Sequence, residues 1–114
     1  MSGSFWPAVA ARVSTFRSVA SAVGVLAGGC GQMLVHSERP WSSPSFSGTR
    51  HALTWAFDGH EAVEAGELLL SEFTEYEIAI SGQQVVETSV TAVEHRSDPP
   101  RLVAELELLL VAAQ

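Results

Sequence analysis

No lysine occurs among the 114 residues, so all six positive side chains are arginine; thirteen carboxylates outnumber them and set the net charge at −7. Such a surface repels phosphate and argues against a reader of nucleic acid, although it suits a channel through which DNA slides without sticking. The Lys-free, Ala-rich composition points to a GC-rich genome and says nothing of mechanism. A single cysteine, Cys30, excludes an internal disulfide framework and any multi-Cys zinc site. No apolar run approaches the roughly 20 residues that a membrane-spanning helix needs. Hydrophobic residues nevertheless make up 46% of the chain, ordinary for a globular protein, and the length fits one domain, residues 1–114, with a single modest core.

Catalytic motifs are also missing. The Gly-rich stretch around Cys30 lacks the Lys and Ser/Thr of a phosphate-binding loop, and no Gly-x-Ser-x-Gly elbow occurs. The four histidines, His36, His51, His60 and His95, are scattered. His60 and Glu64 stand four residues apart on a predicted helix, which is too few ligands for a metal. The carboxylates Asp58, Glu61, Glu64, Glu67, Glu72, Glu75 and Glu77 fall opposite an apolar stripe and read as a solvated face. The chain is expected to be neither an enzyme nor a holder of cofactor or metal. One targeting pattern needs weighing: Arg12 and Arg17 precede Ser18–Cys30, loosely the layout of a signal peptide ending in a lipoprotein cysteine. Leu26 sits one residue too far from Cys30 for the usual lipobox, and Ser and Gly dilute the apolar run. A thiol on a loop is the simpler reading; a small secreted or lipid-anchored binding domain is the alternative.

What is there is a regular succession of elements. Trp6, Val9, Val13, Phe16, Ala20 and Val23 recur at steps of three and four and predict a helix over 5–23, with Pro7 tolerated in its first turn. Gly24 and then Gly28-Gly29-Cys30-Gly31 end it. Met33–Glu38 is a short strand, followed by a Ser/Pro loop of about ten residues, an unusual length in so small a domain, that carries Trp41 and Phe46. In Arg50–Phe57, Leu53, Trp55 and Phe57 alternate with Ala52, Thr54 and Ala56 as in a strand with one heavily apolar face. Asp58-Gly59 turns the chain, and Asp58 with Glu61 has capping-box spacing for a helix from about His60. That helix places Ala62, Val63, Gly66, Leu69, Leu70 and Phe73 on one arc and its glutamates on the other. Val85–His95 is expected as a strand with Val86, Thr88, Val90 and Ala92 on one face and Val85, Glu87, Ser89, Thr91 and Val93 on the other. Arg96–Arg101 is the turn, since paired prolines do not sit inside a ladder. Leu102–Val111 returns with Leu102, Ala104, Leu106, Leu108 and Leu110 on one face. Leu109 and Val111 on the second face, with Val85 and Val93, would remain exposed unless another element or subunit covers them. The order is helix, strand, strand, helix, strand, strand: an α+β fold with one mostly antiparallel sheet against helices.

The segments "HSERPWSSPSFSGT", "RHALTWAFDG", "HEAVEAGELLLSEF" and "VVETSVTAVEHRSDPPRLVAELELLLV", in that order after an N-terminal helix, resemble the phage tail-completion family, which includes the tail terminators of siphophages and gene transfer agents. The likeness spans most of residues 5–111 and is a pattern of elements. The Gly-rich connection after the first helix and the short first strand are its least family-like parts. It implies a virion structural protein that forms a ring, hexameric in the family, at the end of the tail tube and joins the tail to the head connector. The ring's partners would be its own copies, the tail-tube protein and the connector, in a particle assembled in the bacterial cytoplasm. No membrane or sequence-specific nucleic acid is implied, though DNA would pass through the lumen. Interface residues are expected at Arg39, Trp41 and Phe46 in the long loop and at Arg96 and Arg101 in the last turn.

Overall fold

The computed structural model describes residues 5–75, 77–80 and 82–112, with side chains from Phe16 onward. Its elements are α1 (Phe5–Leu26), β1 (Gln32–Ser42), β2 (Ser47–Asp58), α2 (His60–Glu72), β3 (Gln83–Ser97) and β4 (Pro100–Ala112). The element order is the expected one, and the four strands form one antiparallel sheet in the order β1-β2-β4-β3.

Directly paired residues share a sheet face, so the register sorts every side chain. One face carries the rows His36–Leu53–Leu106–Val90, Met33–Trp55–Ala104–Val93 and Glu38–His51–Leu108–Thr88. Both helices lie on this inner face. Val19, Val23 and Ala27 of α1 and Val63, Leu69 and Phe73 of α2 join Leu53, Trp55, Phe57 and the even-numbered leucines of β4 in one buried cluster. Gly66 lets α2 approach closely: a Cβ there would stand 2.6 Å from Leu102 and 2.7 Å from Phe57. The α1 stripe continues to Ala27 and centres on Val19 rather than Ala20; the expected positions Trp6, Val9 and Val13 fall outside the side chains described. A Schellman motif closes α1: Gly28 N–H bonds the Val25 carbonyl at 2.9 Å and Gly29 N–H the Gly24 carbonyl at 3.0 Å, with Gly28 at φ 66°.

Four local expectations change. β1 runs eleven residues to Ser42, so the long loop shrinks to a turn over Ser43–Phe46 and Trp41 becomes a strand residue. Pro40 is accommodated because β1 is an edge strand, where a missing N–H costs least. The capping box does not form: Gly59 is the N-cap, at φ 94° and without a side-chain cap, while Asp58 stays in the ladder opposite Arg101, 3.4 Å from its Nε. The last hairpin turn is tighter than expected, because pairing continues through Arg96↔Arg101 to Ser97↔Pro100, and Asp98 and a cis Pro99 alone make the reversal. Lastly, β3 carries bulges between Val85 and Glu87 and between Val90 and Ala92. Each inserts one residue and resets the period-2 alternation. Val85, Thr88, Val90, Val93 and His95 therefore share the inner face, and Val85 and Val93 leave the second face to Leu109 and Val111.

Candidate assembly surface

The outer sheet face carries no described helix. Its rows read Trp41–Gly48–Val111–Gln84, Arg39–Arg50–Leu109–Glu87, Ser37–Ala52–Glu107–Ser89, Val35–Thr54–Glu105–Ala92 and Gln32–Ala56–Val103–Glu94, and it ends at Asp58–Arg101–Arg96. Arg50 reaches Glu107 at 3.1 Å and Glu87 at 3.7 Å, and this ion cluster shields Leu109, 6% exposed. Val35 is exposed, and Trp41, Val103 and Val111 are half-buried. Apolar patches ringed by arginine and aromatic side chains have the composition of interface hot spots.

The five predicted interface residues divide between the two ends of the sheet. Arg39 and Trp41 alternate along β1 on the outer face, and Phe46, 58% exposed, tops the β1–β2 turn, which Ser43 N–H closes on the Phe46 carbonyl at 2.7 Å. Arg96 and Arg101 pair across the β3–β4 hairpin at the other end. Thirteen residues of β4 separate the ends, about 40 Å at the rise of a strand.

On the inner face the structure brings together two histidines that the sequence leaves scattered. His36 Nε2 lies 3.0 Å from His51 Nδ1, Thr49 Oγ1 is 3.1 Å from His51 Nε2, and a Glu38 carboxylate oxygen is 3.6 Å from that same nitrogen. The ring of Phe16 stacks on His36 with centroids 3.5 Å apart. His51 is fully buried. A carboxylate only accepts, so a proton on His51 Nε2 faces Glu38; His51 Nδ1 then accepts from His36 Nε2, and His36 Nδ1 is left as a buried acceptor without a partner. Burial pushes the His36 pKa down to about 4, helped by the adjacent His51 and opposed by Glu38. Burial lowers His51 as well, again against Glu38. A neutral, hydrogen-bonded pair under a helix seats that helix and offers no nucleophile. The parity of His51 with Leu53, Trp55 and Phe57 was the available signal of its burial; nothing local marked His36 as its partner.

Elsewhere the chemistry is sparse. Cys30 is half-buried in the α1–β1 connection, and its carbonyl accepts a hydrogen bond from Trp55 Nε1 at 3.2 Å. Asp58, His60, Glu61 and Glu64 border an open depression with Cys30, and Asp58 there faces Arg101. Among the described residues no group of three or more His, Cys, Asp or Glu is placed to hold a metal ion. No helix among them is long and apolar enough to cross a membrane.

Compared with solved structures, the chain is similar to one in the "Virion of native gene transfer agent (GTA) particle", with a TM-score of 0.51 over 80% of this chain and 84% of that one. The two share a fold. Their sequences are 12% identical, so the likeness is one of architecture. No family model and no curated protein matches the sequence.

Proposed function

We propose that the chain is a one-domain structural subunit of a phage-like particle, a tail terminator that caps the tail tube as a ring, hexameric as in the family it resembles, and joins it to the head connector. The observation that carries this reading is the fold shared with a gene transfer agent virion chain along most of both lengths. The shape agrees with it. Principal extents of 56 × 28 × 19 Å and a radius of gyration of 15.5 Å describe an elongated body, against about 13 Å for a compact chain of this length. In the proposed ring the flat faces meet neighbouring copies, while Phe46 at one tip and Arg96 and Arg101 at the other meet tube and connector. The glutamate face of α2 suits contact with other proteins or a DNA-repelling lumen better than contact with nucleic acid.

The lipid-anchored alternative fares worse. Processing just before Cys30 would remove Val19, Val23 and Ala27 from the core and uncover Trp55. The deciding experiment is co-expression with candidate tail-tube and connector proteins from the same genome, followed by native mass spectrometry and negative-stain microscopy. A ring at tube ends is expected; a strict monomer at high concentration that joins neither partner overturns the proposal.

A further inference from the structure

The outer sheet face pairs arginines with arginines. Arg39 on β1 stands directly opposite Arg50 on β2, and Arg96 on β3 opposite Arg101 on β4. Like charges directly opposed across strands are unfavourable unless a carboxylate intervenes. In each pair the arginine on the inner strand has one: Arg50 has Glu107 and Glu87, and Arg101 has Asp58. The edge-strand partners, Arg39 and Arg96, take part in none of the described ion pairs. Arg39 is exposed beside Trp41, with Val111 in the adjoining row that Trp41 heads.

The opposite side of the molecule has the complementary surplus. From His51 to His95 the sequence contains no arginine or lysine. On α2, Glu61, Glu64 and Glu67 are exposed and enter none of the described ion pairs. Leu68 is 59% exposed and lies one helical turn from Glu64, so an apolar side chain and a carboxylate project together. Helix and sheet face also match in size. Thirteen residues make α2 about 20 Å long, and four strands span about 19 Å.

Extension of the sheet from one copy to the next is blocked at both edges. β1 carries Pro40 and a bulge between Met33 and Val35, and β3 carries two bulges, devices that blunt edge pairing. Contact through faces is therefore favoured over pairing at the edges. We infer that the outer sheet face around Arg39, Trp41 and Val111 is the docking surface for α2 of a second copy of this chain, with Leu68 over the apolar patch and Glu64 facing Arg39. The contact is heterologous: each copy offers its sheet to one neighbour and its helix to the other, the kind of contact from which closed rings are built. The inference rests on the ring reading and specifies its lateral interface.

The test is a charge swap in the full-length chain, read by sedimentation velocity across a concentration series. Both positions are exposed, and an unchanged Tm verifies that the variants fold. Arg39→Glu and Glu64→Arg should each weaken self-association about tenfold or more, and the double variant R39E/E64R should recover most of the loss. Arg96→Glu should leave self-association as in the wild type. If the wild type assembles and the single variants assemble equally well, or the double variant is weaker than either single, the interface is wrong while the ring reading stands. A wild type that remains monomeric throughout and also joins neither tube nor connector protein overturns both.

Discussion

His36 and His51 form a neutral, hydrogen-bonded imidazole pair beneath Phe16, which stacks on His36, and the pair ties acid stability to the seating of α1. Both folded-state pKa values lie below the ordinary 6.5, so the unfolded chain binds more protons than the native one as pH falls. The pair's contribution is fully present above about pH 6.5 and is lost as pH drops toward the value of about 4 held by His36. Free carboxylates titrate near 4, so the interval above about pH 5 isolates the histidines. Tm should fall across that interval, and His36→Gln should make the decline shallower; a flat profile in the wild type would contradict the neutral pair. A second site is set by space alone. Gly48 crosses under the Leu110 backbone, where a Cβ would collide with the carbonyl oxygen. Gly48→Ala should destabilise the fold by about 2 kcal/mol or more, measured by urea denaturation.

At the scale of elements, α2 offers a clean contrast between neighbours. Leu69 is 1% exposed in the core and Leu68 is 59% exposed on the far side. Leu69→Ala should cost about 2–5 kcal/mol of stability, whereas Leu68→Ala should stay within about 0.5 kcal/mol and instead weaken self-association. Denaturation and sedimentation of the two variants would separate core from interface. The phase of α2 was legible because its apolar residues keep helical spacing for three turns, and β2 because Leu53, Trp55 and Phe57 alternate without interruption. β3 was not, since its two bulges invert the alternation and nothing in Val85–Ala92 distinguishes a bulged residue from a paired one. The full length of β1 is hidden in the sequence because Pro40 and the serines after it have loop composition, although an edge strand tolerates them. The capping box failed for a related reason: Asp58 had a second suitor in Arg101, forty-three positions away and beyond any local pattern. The proposed interface residues rest on their side-chain types and segments. Their grouping onto one face and two tips required the register.

Across the whole molecule, the long axis separates two chemically different tips. Phe46 crowns a Ser/Pro turn beside the C-terminal end of β4, while Arg96 sits at the β3–β4 reversal with Asp98 and the Arg101–Asp58 pair close by. The proposed joining role requires two unlike partners on opposite sides of a ring, and a body 56 Å long with an apolar tip and a charged tip is suited to that. The apolar tip should bind largely independently of salt, and the charged tip should weaken as screening grows over the roughly 8 Å Debye length near physiological ionic strength. Phe46→Ser should therefore abolish capture of one partner and leave the other, with Arg96→Ala doing the reverse and only the Arg96-dependent join sensitive to added salt. Pull-downs of each variant against tube protein and connector separately would show the split. Loss of the same partner by both variants would mean that the two tips do not divide the work, and that the join lies on one side of the ring.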